Sequence, residues 1–136
     1  MRPDANREYQ RWIRQAERDL DDARYNAQGE RYSLACFLSQ QAAEKALKAY
    51  LYWLGNELVW GHSVAELVDD AAATDTGFAA LKERSSYLDR FCIPTRYPNG
   101  LPGGIPSESF HKGDAEEAMR AASEIIEAVK NRAGRG

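Results

Sequence analysis

Gln40-Gln41-Ala42-Ala43-Glu44-Lys45-Ala46-Leu47-Lys48-Ala49-Tyr50-Leu51 decides the fold, because it lays a charged strip along one side of a helix that is otherwise apolar. At about 100° per residue, Gln40, Gln41, Glu44, Lys45 and Lys48 share one arc. Ala35, Leu38, Ala42, Ala43, Ala46, Leu47, Ala49, Tyr50 and Trp53 fill the other. A helix with so wide an apolar side belongs at the centre of a bundle.

The same periodicity extends outward from this helix. Tyr9, Trp12, Ile13, Ala16, Leu20, Ala23 and Ala27 recur at three- and four-residue steps, predicting an amphipathic helix over 6–28 that ends near Gly29 and has a densely charged other face. The central helix is predicted from about Arg31 to Leu54, with Gly55 as the left-handed residue that stops it. Ser63-Val64-Ala65-Glu66 has the form of a capping box and starts a short helix over 63–73. Phe78, Leu81, Ser85, Leu88 and Cys92 mark a fourth helix. Asp114-Ala115-Glu116-Glu117 opens a fifth, with Ala118, Met119, Ala122, Ile125, Ile126 and Val129 inward. No strand pattern competes, so the expected fold is all-α, an up-and-down four-helix bundle with an additional short helix.

Composition narrows the function classes. The 136 residues, 43% of them hydrophobic, suffice for one core, and residues 1–136 are read as a single domain. A net charge of −3 gives no global basic field for capturing nucleic acid. Two cysteines, Cys36 and Cys92, without a leader or a metal-ligand spacing, fit a reducing cytoplasm. No apolar run approaches the roughly 18 residues that span a bilayer. No cofactor is expected, since neither a ligand cluster nor a phosphate-binding glycine loop is present.

A Pro/Gly-rich loop at about 93–112 holds Pro94, Pro98, Pro102 and Pro106. Loops of that length are functional or disordered more often than not. Within it Arg96, a permanently charged planar donor, precedes the aromatic Tyr97. Two readings stay open: Arg96 pairs with a carboxylate such as Asp89 while Tyr97 covers the core edge, or the two bind a ligand. Glu44, Lys45 and Lys48 are similarly ambiguous, either a solvated strip or one wall of a cleft in which cations meet phosphates and Tyr97 stacks on a base. His62, directly before the Ser63 cap, is a neutral ring bonded to backbone or a ligand contact.

"QQAAEKALKAYL", "GHSVAEL", "LDRFCIPTRYP" and "DAEEAMRAASEII", in that order over nearly the whole chain, together resemble the HEPN domain family. The resemblance implies a helical bundle, commonly a homodimer, often encoded beside a minimal nucleotidyltransferase with which it forms a toxin–antitoxin-like pair. Nucleotide or RNA is the implied ligand, with Arg96, Tyr97, Lys45, Lys48, Glu44 and His62 as candidate contacts. Many members are metal-independent ribonucleases that carry an arginine followed, after four to six residues, by a histidine. Here Leu101, Pro102 and Gly103 occupy those positions after Arg96. An endoribonuclease would need His62 or His111 recruited from elsewhere for general acid–base work, so a binding or interaction module of the "TRYP" subgroup is the favoured expectation.

Overall fold

The computed structural model describes residues 3–61 and 63–133, and among them there is no β-strand. Six α-helices follow one another: α1 (Pro3–Gln28), α2 (Tyr32–Trp53), α3 (Val64–Ala72), α4 (Lys82–Asp89), α5 (Pro106–Ser109) and α6 (Lys112–Arg132). A 3₁₀ turn, Thr76–Leu81, runs straight into α4, so the predicted fourth helix is a single helical segment with a tightened first half. α1, α2, this segment and α6 form the up-and-down bundle, and α3 packs against α2, α4 and the 3₁₀ turn.

α2 is the axis, in contact with α1, α6, α3 and α4. Its alanines make this possible. Ala35, Ala42, Ala43, Ala46 and Ala49 are fully buried, as are Ala16 and Ala23 of α1 and Ala115, Ala118 and Ala122 of α6, small residues that let the packed helices approach closely. Leu47, Leu67, Leu88, Ile125 and Phe78 then fill the space between layers, with Tyr50 tilted on Phe78 at 4.6 Å between ring centres. At the end of α6, Arg132 lies over the Phe78 ring and pairs with Asp75 at 2.9 Å, which anchors the 3₁₀ turn.

The helix ends show where local sequence governs and where it does not. Gly55 has φ +102°, as its place after α2 requires. Ser63 accepts from the Glu66 amide, as predicted. The α1–α2 connection differs, since Glu30 rather than Gly29 adopts the left-handed conformation, with φ +61°. α6 begins two residues before Asp114, whose carboxylate reaches back to the His111 amide at 2.9 Å. The Pro/Gly-rich loop is built of turns and the one-turn α5, and Gly104 takes φ +69° where Glu108 caps the Ile105 amide.

Candidate functional site

The charged strip of α2 is not a solvated face. Thirteen of the 22 residues of α2 are buried, Gln40, Glu44 and Lys48 among them, because α1 lies across their side of the helix. Burial of these groups demands partners. Lys48 Nζ sits 3.3 Å from Glu44 and 5.8 Å from the centre of the Trp12 ring, Gln40 donates to Glu44 at 3.3 Å, and Gln41 donates to Gln40 at 2.8 Å. Lys45 reaches Asp19 of α1 at 2.6 Å, and Gln15 donates to the other oxygen of the same carboxylate. Glu44 and Lys48 thus belong to a polar layer inside the α1–α2 interface, while Lys45, a quarter exposed, stands at its edge.

Arg96 and Tyr97 form a separate surface. Turn hydrogen bonds from both amides to the Ile93 carbonyl, each 3.0 Å, fix the backbone, and Thr95 folds its hydroxyl onto the Phe91 carbonyl. The Arg96 guanidinium donates to the Cys92 carbonyl at 2.8 Å, contacts the Cys92 sulfur, and stacks 4.4 Å from the centre of the Phe37 ring and 5.3 Å from that of Tyr97. Among the described residues no carboxylate holds it. Asp89, the partner considered for Arg96, instead takes the Ser63 hydroxyl at 2.8 Å and the Val64 and Ala65 amides at 2.6 and 3.0 Å. Tyr97 does not seal the core edge either, being 52% exposed.

Within one chain Lys45 and Lys48 make their described contacts with Asp19, Glu44 and Trp12, and none with Arg96 or Tyr97. His62 lies outside the described residues. His111 is exposed at the start of α6, 3.8 Å from Asp114, with no bond to Arg96. Among the described residues no cluster of His, Cys, Asp or Glu is arranged to hold a metal ion. Two weak acids, buried Cys36 and half-buried Tyr87, have shifted ionisation: burial first, then Asp114, pushes the Cys36 thiol up to about 12, and burial, then Glu117, raises Tyr87 to about 12. The Tyr87 hydroxyl makes no hydrogen bond among the described residues.

Sequence reading missed Asp89 as a cap, because its partners lie 24–26 residues away. It also missed the arginines of α1. These were visible only as part of a charged face, although Arg11, Arg14 and Arg18 recur at helical spacing and line a groove with Trp12, Gln15 and Lys45.

The molecule is thus an up-and-down helical bundle that carries a buried polar layer along its central helix and an exposed arginine on a structured loop. The HEPN domain model matches residues 9–132, and the chain belongs to that family. A protein of Methanocaldococcus jannaschii named "Putative toxin MJ1304" is 28% identical over 129 residues, which cover 88% of this chain and 84% of that protein. Among solved structures, TT1696 of Thermus thermophilus is similar with a TM-score of 0.86 and 35% identity, covering 90% of this chain and 96% of that one. ST0689, an archaeal HEPN homologue, is 40% identical with a TM-score of 0.76, over 91% and 96% of the two chains. A HEPN domain protein of Thermotoga maritima is 30% identical with a TM-score of 0.72, over 89% and 95%. No helix among the described residues is long and apolar enough to cross a membrane.

Proposed function

We propose that this HEPN domain is a non-catalytic binding module, a homodimer that partners a minimal nucleotidyltransferase in a toxin–antitoxin-like pair and uses Arg96 and Tyr97 to grip an anionic group of the partner or its nucleotide. The observation that carries this reading is the state of Arg96: its guanidinium is oriented by a carbonyl and two rings, yet no carboxylate among the described residues neutralises it. A cation held ready in that way gains a bidentate anion at little ordering cost. Exposed Tyr97 beside it offers a ring for stacking. The toxin name of the M. jannaschii relative supports the pairing. For the dimer, the support is apolar exposure: Trp12 and Trp53 are half-buried by the bundle, but Trp60 is 80% and Leu58 70% exposed.

The test is to purify the chain with a minimal nucleotidyltransferase from the same genome and measure their affinity by calorimetry. Arg96→Ala is expected to weaken it by about 1.5–3 kcal/mol, and Arg96→Lys to restore it only in part, since an ammonium lacks the planar fork. Unaltered affinity in Arg96→Ala, together with a melting temperature many degrees lower, would make Arg96 a clamp for its own loop and end this reading.

A further inference from the structure

A groove of about 420 Å³ lies between α4 and α6, where Arg84 and Glu124 pair across the gap. Its apolar lining is buried Ala121 and the Tyr87 ring, and the Tyr87 hydroxyl is a buried group with no hydrogen bond among the described residues. Glu83 of α4 and Glu117 and Arg120 of α6 complete the lining. None of these three forms an ion pair with a described residue. Exposed charges are ordinarily answered by water alone. What sets this group apart is the hydroxyl among them, because a buried polar group without a partner is costly until something bonds it. Burial, then Glu117, keeps its proton in place to about 12, so it is both a donor and an acceptor at neutral pH.

We propose that this groove binds a free basic amino acid, a molecule with one carboxylate and two ammonium groups such as lysine. Its three charges match the three unpaired charges of the groove one for one. Arg120 presents a planar fork to the carboxylate. Glu117, three residues before Arg120, is its neighbour on one helix face, at about 5–6 Å between Cβ atoms, a fitting reach for the ammonium on the same α-carbon. Glu83, on the facing helix, takes the side-chain ammonium. The Tyr87 hydroxyl gains an ammonium donor for its oxygen, and the methylenes of the ligand lie along Ala121 and the Tyr87 ring. The volume lies within the roughly 300–1,000 Å³ of small-molecule sites. A polyamine is the poorer fit, because it holds nothing for Arg120, and a lysine within a peptide lacks both α charges. Arg96, Tyr97 and Trp60 do not line this groove, so the site goes beyond the partner-binding reading and stands or falls separately from it.

The purified full chain is titrated by calorimetry with lysine in about 50 mM salt, where screening is mild. Three analogues each lack one charge: Nα-acetyl-lysine the α-ammonium, norleucine the side-chain ammonium, and cadaverine the carboxylate. Lysine is expected to bind at least about tenfold more tightly than any of them. Arg120→Gln and Glu117→Gln should each weaken lysine binding about tenfold with unchanged melting temperatures, because both side chains are exposed. Arg120→Gln should leave cadaverine binding no weaker than in the parent. Tyr87→Phe should weaken lysine binding about threefold or more without lowering the melting temperature, since its hydroxyl has no partner to lose. Glu116→Gln, next to Glu117 but outside the groove, should bind within about twofold of the parent. The proposal is overturned if lysine up to about 10 mM gives no binding heat, if norleucine or cadaverine binds as tightly as lysine, or if Arg120→Gln and Glu117→Gln both bind normally.

Discussion

The two charged regions of this molecule, the Glu44–Lys48 layer and the Arg96 turn, look alike in sequence and are opposites in structure. The first is roofed by α1 and each charge in it is answered by another side chain. The second is open to solvent, and its guanidinium is answered by a carbonyl and by aromatic rings. Burial without an opposite charge is too costly to persist, so the layer's pairings are a condition of packing α1 on α2. An exposed arginine faces no such demand. Its unanswered charge costs little in the free protein and remains available to a ligand.

The comparison breaks most visibly at Lys48. Lys48→Ala leaves Glu44 buried without its ammonium and is expected to cost on the order of 3 kcal/mol in urea unfolding, whereas Arg96→Ala should cost about 1 kcal/mol or less. Similar losses at both positions would erase the distinction drawn between them.

Alkaline titration sharpens it next. Cys36 and Tyr87 keep their protons to about 12 in the folded chain, against 9.0 and 10.0 ordinarily, so the unfolded chain releases protons that the folded one retains. Stability from these groups is complete below about pH 9 and is lost as the pH climbs from there toward 12. Urea midpoints at rising pH should hold level to about pH 9 and then fall. Over the same range Cys92, partly exposed beside Arg96, should react with a thiol reagent in the native protein while Cys36 waits for unfolding.

The smallest effect lies in the turn that sets α1 against α2. Glu30→Gly removes a side chain from a left-handed conformation that costs ordinary residues about 1–2 kcal/mol, but also loosens the unfolded chain, and the net gain should be about 1 kcal/mol at most. A melting temperature that falls in this variant would show that the Glu30 side chain contributes something other than strain.

What sequence disclosed was whatever depends on near neighbours. The inward residues of α1, α2 and α6, the Gly55 stop and the Ser63 cap all follow from spacings of a few residues, and each stands in the structure. A helical wheel separates polar from apolar but is silent on what lies against the polar side, which is why the α2 strip read as a surface and became an interface. The groove arginines were hidden for a related reason. On α1 they alternate with Glu8, Glu17, Asp21 and Asp22, so their sum is inconspicuous until the fold turns one sector toward Lys45. Likewise no local rule distinguishes Asp89 as a cap for α3 from Asp89 as a partner for Arg96.

That carboxylate makes the segment from Ser63 to Asp89 a purse closed at its neck. The chain passes through α3 and the bundle's fourth helix and returns to the same point 26 residues later, tied there by three hydrogen bonds to one side chain. Inside the purse Leu67, Phe78 and Leu88 are buried in the core, its mouth is held by Asp89, and Arg96 begins its approach to α2 only seven residues beyond it. Its exposed positions, Asp70, Thr74 and Glu83 among them, can thus vary without moving the cation next door.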